Sequence, residues 1–220
     1  ADAIRAAWSV HRELTHPLAR LDPQTAGHIA AGHWGQIDPS LQRRIHGFDE
    51  LLEVAATTRK AWLSAVATRQ TVRHLEDALT AAEAAAELGR RMVRVGNWSR
   101  YQQAPFELSE TSAKLALKRA RLATQQAEWA LLKSMGLDRV HDRVALPDRL
   151  PEAPHTAMNE GTLEQRLTAL QDQLPTTQRR QARVKAQQAH AAYNASVESY
   201  HSYRNEVLKQ QELLSEETLL

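Results

Sequence analysis

Apolar and small residues recur at alternating steps of three and four positions from Leu51 to Gly96, which is an unbroken heptad pattern. A repeat of about 3.5 residues drifts against the roughly 3.6 residues of a helical turn, so the helix must supercoil around a neighbour to keep the pattern buried. At about 1.5 Å per residue, the pattern predicts a coiled-coil helix roughly 70 Å long. Its members are Leu51, Val54, Thr58, Ala61, Ala65, Thr68, Val72, Leu75, Leu79, Ala82, Ala86, Gly89, Val93 and Gly96.

A second helical segment carries two neighbouring apolar rows, one of large residues seven apart and one of alanines about 100° further round the helix. Two rows are what a helix needs when it has a neighbour on each side, as in a curved wall of helices. An ordinary antiparallel bundle with a wide apolar face explains them equally well. The rows are Leu108, Leu115, Leu122 and Trp129, supported by Thr111 and Leu132, and Ala116, Ala120, Ala123, Ala127 and Ala130.

Turn residues separate these two segments. Gly96 suits the left-handed position that ends a helix, and Ser99 suits the N-cap of the next one. Pro105 cannot bond to the carbonyl of Tyr101, so we expect a kink or a late start of the return helix. Gly136 suits that helix's end. The sequence thus predicts an all-α fold with a long antiparallel coiled-coil hairpin over residues 48–136, its tip at 96–100.

Weaker signals divide the rest of the chain. The first helix should run from Asp2 to about Arg20, and a capping box at Thr162 and Gln165 should start a short helix. The chain stops before its last helix shows a stop signal, as expected of a truncated element. The predicted segments are an N-terminal helix with a Gly-, His- and Pro-bearing loop (1–47), an extended Pro-rich linker (137–161), a short helix (162–175) and a long C-terminal helix (177–220).

Composition narrows the function classes. The 28 basic and 26 acidic residues are interleaved, which is typical of solvated helix faces and not of a nucleic-acid-binding stripe. The chain has no cysteine, so disulfides, thiolate metal sites and cysteine nucleophiles are excluded. No stretch reaches the roughly 18 apolar residues that a membrane-spanning helix needs.

Three features follow one another in a characteristic order. A long helix ends in Gly96-x-x-Ser99, and a return helix rich in Ala and Leu ends in LLKSMGL at residues 131–137. The sequence LPDRLPEAP then occupies residues 146–154. Over residues 51–174 this order resembles the TolC-like outer-membrane factor family, with its Leu-Pro-x-x-Leu-Pro linker, and the last helix is similar to a long helix of the family's second half.

The resemblance implies an α-barrel type of fold and a role as the periplasmic helical portion of a trimeric export duct for efflux or type I secretion. Such a duct is a passive conduit without catalysis or cofactor. By position, Gly96, Asn97, Trp98, Ser99 and Arg100 would form the tip that contacts a periplasmic adaptor protein. An inner-membrane pump would complete the path. The parent protein would lie in the periplasm and outer membrane of a Gram-negative bacterium.

The chain departs from the family where β-strands are expected. Strand pairs should precede the first long helix and separate the short helix from the last one. Residues 21–40 carry turn signals instead, and residues 175–180 are too few for a hairpin. We therefore expect a chain without the family's transmembrane strands, whether by natural or engineered deletion or because it is a fragment, and without a membrane-spanning segment of its own.

The sequence is also compatible with two other function classes. A self-contained helical coiled-coil interaction or adaptor module, with no channel role, would show the same periodicity. An enzyme would have to use the histidines of the first loop, but the spacing of His28 and His33 fits no common metal-ligand motif. We expect exposed loop histidines, no metal and no enzyme.

Trp98 is the one large aromatic residue in the predicted turn, and two interpretations are open. It packs back on Val95 or Tyr101, or it contacts an adaptor, since Trp is enriched at interaction hot spots.

Overall fold

The computed structural model describes residues 1–33, 36–38, 40–137, 144–150, 159–171 and 176–217, and all regular structure within them is helical. The all-α prediction is confirmed. Contacts divide the chain into two compact units, residues 1–150 and 151–220. The helices are α1 Asp2–Val10, α2 Thr15–Ala19, α3 Pro23–Ala31, α4 Leu41–Arg44, α5 Phe48–Arg94, α6 Arg100–Ser134, α7 Glu160–Gln171 and α8 Thr176–Glu217, with a 3₁₀ turn at Arg12–Leu14.

Helix α5 buries the predicted heptad. The helix is 47 residues long and packs against α6, which has 35 residues. Every member of the pattern from Leu51 to Val93 is buried or half-buried, and only Gly96, which follows the helix, is exposed. The coiled-coil-like character predicted from this pattern is confirmed.

Helix α6 meets α5 through residues that the sequence analysis did not group together. These form a heptad row of their own, called the inner row, and none is exposed. Only three of its members are large and apolar, which is why the row is inconspicuous in the sequence. The inner row is Gln103, Phe106, Glu110, Ala113, Leu117, Ala120, Thr124, Ala127, Leu131 and Ser134.

Ion pairs join α5 to α6 along their length, and the partner's number falls as the α5 number rises. The side chains are partly exposed, so the pairs help to fix the register of the helices more than they add to stability. The pairs are Arg69 with Glu128 at 2.6 Å, Glu76 with Arg121 at 2.8 Å, Glu83 with Lys114 at 3.4 Å and Arg90 with Glu110 at 3.1 Å.

The N-terminal helices cover the beginning of α5. Ile4 and Trp8 of α1, Ile29 of α3 and Phe48 and Leu51 of α5 are buried in one core. The indole Nε1 of Trp8 donates a hydrogen bond of 3.2 Å to the carbonyl of Leu51. This bond satisfies a buried N–H group that would otherwise destabilise the core.

The loop predicted over residues 21–40 was wrong for residues 23–31, which form α3. The residues interpreted as turn formers are helix caps. Asp22 accepts a hydrogen bond of 2.8 Å from the Thr25 N–H, and Pro23 occupies the first helical position, where its missing N–H has no cost. Gly32, with φ of 77°, ends the helix. Trp34, Gly35 and Pro39 lie outside the described residues.

The single helix predicted from Asp2 to about Arg20 was also wrong. Helix α1 ends at Val10 because His11 is extended, with ψ of 97°. Pro17 then lies in the first turn of α2, where a proline is tolerated because those N–H groups have no helical partner.

The segment 144–150 has no regular secondary structure, as expected for the linker. It lies along α5, since Arg73 bonds to the Asp148 carboxylate and the Leu150 N–H donates to the side chain of Gln70. The other proline-rich part of the predicted linker, residues 151–158, and the polar stretch 138–143 lie outside the described residues.

In the second unit, α7 begins at Glu160, two residues before the predicted capping box. The cap is Asn159, whose side chain accepts a hydrogen bond of 2.8 Å from the Gly161 N–H. Residues 172–175, including the predicted end at Pro175, lie outside the described residues. Helix α8 begins at Thr176, one residue from the prediction, and Arg183 pairs with Glu164 of α7 at 2.6 Å.

Among the described helices, none has a stretch both long and apolar enough to cross a membrane.

Replacement of Gly89 by alanine should stabilise the packed pair of helices α5 and α6. Gly89 is buried in α5, and a Cβ there would lie 3.5 Å from Gln103 and 3.7 Å from Trp98, which are ordinary contact distances. Glycine costs a helix interior about 0.5–1 kcal/mol relative to alanine, so G89A should raise the free energy of unfolding in urea by about that amount.

Gly89→Leu should instead lower stability by overpacking. Gly27→Ala in α3, where a Cβ would meet nothing within 4 Å, measures the backbone effect alone. If G89L were as stable as G89A, the close approach of the helices at Gly89 would be contradicted.

Candidate functional site

The turn between α5 and α6 is closed by a Schellman motif around Gly96, whose φ is 80°. The Asn97 N–H donates to the Met92 carbonyl at 2.9 Å, and the Gly96 N–H donates to the Val93 carbonyl at 3.0 Å. These bonds satisfy carbonyls that the end of α5 leaves without helical partners. Gly96 thus has the left-handed conformation that was predicted for the residue ending this helix.

Ser99 starts α6 with a full capping box. Its hydroxyl accepts from the Gln102 N–H at 3.3 Å, and its own N–H donates to the Gln102 side chain at 2.8 Å. The helix therefore begins at Arg100 with Pro105 inside it, and the late start considered for this helix was wrong. The five predicted tip residues, Gly96 to Arg100, all lie in this turn or directly after it. Their contact with an adaptor stays a prediction.

Trp98 packs inside the turn. Its ring stacks on Phe106 of α6, with centroids 5.3 Å apart and planes 21° from parallel. It also lies beside Gly89 of α5, which has no side chain to displace it. The side chain is half-buried. Trp98 therefore packs back on the helices, in agreement with one of the two interpretations, but its neighbours are Phe106 and Gly89.

The apolar surface that the tip presents to solvent comes from two residues outside the predicted site. Val95 is 67% exposed and Tyr101 is 89% exposed. Asn97 and Arg100 are exposed beside them. The sequence signal was available, because Val95 directly precedes the Gly96 cap and Tyr101 lies one heptad before Leu108. A contact surface at the tip would be built on Val95 and Tyr101, with Trp98 supporting the turn.

A line of large apolar side chains runs along α6 on the side away from α5. It is the leucine row of the sequence analysis, called the outer row here, and its members are exposed although they are spaced exactly one heptad apart. The alanine row is divided: Ala116, Ala120 and Ala127 are half-buried, whereas Ala123 and Ala130 are exposed. The outer row is Leu108 (67% exposed), Leu115 (48%), Leu122 (55%) and Trp129 (45%).

Several charged side chains form ion pairs near the tip. Glu110 belongs to the inner row of α6 and bonds to both Lys114 and Arg90. Hydrogen bonds from the Lys114 ammonium and the Arg90 guanidinium lower the pKa of Glu110. Glu87 bonds to Arg91 and Arg90, which lower its pKa in the same way. Glu87 and Glu110 are thus ion-pair partners.

The described residues bring no three histidine or carboxylate side chains together as a metal-ligand cluster. The carboxylates of Glu76, Glu110 and Glu128 form the helix-to-helix ion pairs. His28 and His33 do approach each other, with ring centroids 5.9 Å apart.

Neither a protein-family model, a curated protein nor a solved structure matches the chain.

Trp98→Ala should destabilise the tip. The substitution removes the aromatic stack on Phe106 and leaves space over Gly89, so we expect the free energy of unfolding to fall by about 2–4 kcal/mol, with faster hydrogen exchange at residues 89–106. Tyr101→Ala, which removes an exposed ring of similar size, should change stability by less than about 0.5 kcal/mol. Equal effects of the two variants would contradict a packing role for Trp98.

The pH dependence of stability should respond to Glu110. Its folded pKa is lower than the ordinary value of 4.5, so its contribution is present above that value and is lost as pH falls through the lowered folded pKa. Glu110→Gln should therefore be less stable than the wild type at pH 7 and should lose less stability between pH 5 and pH 3, measured by urea unfolding. Glu53→Gln, at an exposed position of α5, is the control, and parallel pH profiles for Glu110→Gln and the wild type would refute the role.

Proposed function

We propose that the chain is the periplasmic helical portion of a TolC-like trimeric export duct, in which α5 and α6 form an antiparallel hairpin of the duct wall. The observation that carries this proposal is the pair of heptad rows on α6. The inner row is covered by α5, and the outer row is exposed.

The two rows lie on opposite sides of α6. Leu115 of the outer row is two positions from both Ala113 and Leu117 of the inner row, which corresponds to about 200° around a helix. A helix in a wall has neighbours on opposite sides and needs this arrangement. An isolated hairpin would gain solubility from polar residues on its outer side.

The partner for the outer row would be a second copy of the chain. Helix α5 also has exposed apolar residues seven positions apart, at Ala81 and Leu88. Packing the outer row of one copy against this row of the next copy makes a heterologous contact, and such contacts close into a ring when the rotation between copies closes. The trimer comes from the family resemblance.

The tip would then face the adaptor. Val95 and Tyr101 supply exposed apolar area, and Arg100 and Asn97 supply polar groups around it. An aromatic residue with a polar rim is typical of an interaction hot spot. In this function the chain performs no chemistry, and an inner-membrane pump, joined through the adaptor, selects what is exported from the Gram-negative cell.

A second candidate is a self-contained helical interaction module. It is favoured by the closed core that α1 and α3 form around Phe48 and Leu51, because this core completes one end of the hairpin within a single chain. Such a module would use the outer row for a different helical partner and would remain a monomer by itself.

Sedimentation over a range of protein concentrations tests the duct proposal. The wild type should approach three times the mass of the chain as concentration rises. Leu115→Glu with Leu122→Glu should remain monomeric, because two charges would be buried in the contact. Ala123→Glu adds a charge at an exposed position of α6, about 100° around the helix from Leu122, and should assemble like the wild type.

Circular dichroism of all three proteins checks that the helices remain intact. A wild type that is monomeric at every concentration would overturn the trimer and favour the module. A trimer that survives both glutamate substitutions would show that the outer row is not the contact.

A further inference from the structure

Helix α3 ends in a Schellman motif that brings two histidines together. Gly32 is left-handed, with φ of 77°, its N–H donates to the Ile29 carbonyl at 3.0 Å, and the His33 N–H donates to the His28 carbonyl at 2.8 Å. In this motif the side chains of the first and last residues of the hydrogen-bonded loop usually make an apolar contact. Here those two positions are His28 and His33.

The end of α6 shows what this position ordinarily holds. Gly136 is left-handed there, and the Leu137 N–H donates to the Leu132 carbonyl at 2.9 Å, so the corresponding pair is two leucines. In α3 two imidazoles replace the leucines, with ring centroids 5.9 Å apart and planes tilted by 47°. His28 is half-buried and His33 is exposed, so the pair is open to small solutes.

We propose that His28 and His33 form a two-histidine site for a divalent transition-metal ion, with Cu²⁺ bound most tightly. Two imidazoles held side by side by the backbone act as a chelating pair of nitrogen donors, with water at the remaining coordination positions. Nitrogen donors favour copper, nickel and zinc over magnesium and calcium. The order of affinities should follow Cu²⁺ above Ni²⁺ and Zn²⁺.

The backbone fixes the geometry before a metal arrives. Arg59 donates a hydrogen bond of 2.8 Å to the Ala31 carbonyl and thereby holds the end of α3 from the side of α5. Gly32 has a φ of 77°, which side-chain-bearing residues rarely adopt, and a Cβ there would also displace the Arg59 guanidinium. The positive charge of Arg59 weakens cation binding somewhat, which suits a site of moderate affinity. The proposal is independent of a role in an export duct.

Calorimetric titration with Cu²⁺, in the presence of glycine as a competing chelator, tests the site. His28→Ala and His33→Ala should each weaken binding roughly ten-fold or more, because each removes one of two ligands. His74→Ala removes an exposed histidine of α5 and should leave the affinity unchanged. Affinities of His28→Ala and His33→Ala within two-fold of the wild type would overturn the proposal.

Gly32→Val provides a test that keeps both imidazoles. The branched side chain cannot adopt the left-handed conformation without strain, so the two rings should separate and copper binding should weaken by a similar factor. Undiminished binding would contradict the role of the Schellman motif.

Pulsed electron paramagnetic resonance of the wild type with one equivalent of Cu²⁺ needs no variant and therefore does not depend on how the variants fold. It should count two imidazole nitrogens, and a count of one would refute the site.

Discussion

Helices as long as α5 and α6 depend on the apolar stripe that they bury against each other, because helical propensity alone contributes little stability in water. The α5 heptad from Leu51 to Val93 and the inner row of α6 supply that stripe. The N-terminal helices cover its beginning, the segment 144–150 lies along it, and the capped turn at Gly96 and Ser99 closes it.

Small residues are common on the side of α6 that meets α5, and exposed leucines lie on the opposite side. The inner row includes the small residues Ala113 and Ala120, and α5 buries the small residues Ala86 and Gly89. Small residues allow the two helix axes to approach closely. The large residues Leu108, Leu115 and Leu122 remain on the outside, where covering them would release apolar area worth about 25 cal/mol per Å². This is the energetic basis for a further helical neighbour.

Left-handed glycines end helices α3, α5 and α6 in the same backbone motif. The side chains that the motif brings together differ from one helix end to the next. Around Gly136 the motif brings two leucines together, and around Gly32 it brings two histidines together. The backbone chemistry of a glycine cap was readable in the sequence at Gly96 and Gly136. The pairing of His28 with His33 was not, because that region was interpreted as a loop and the spacing matches no ligand motif.

The sequence by itself determined the features that depend on local chemistry: the α5 heptad, the glycine and serine caps of the turn, and the start of α8 near Thr176. It predicted a loop where α3 lies, because Asp22, Pro23 and Gly32 are residue types that occur both in turns and as helix caps. Only the tertiary structure decided which side of α6 faces α5 and that Trp98 stacks on Phe106. The reason is physical. A leucine row in a sequence indicates an apolar surface, but whether that surface is buried depends on which neighbour packs against it. Within residues 1–150 the neighbour is α5, and it packs on the side of α6 opposite the leucine row.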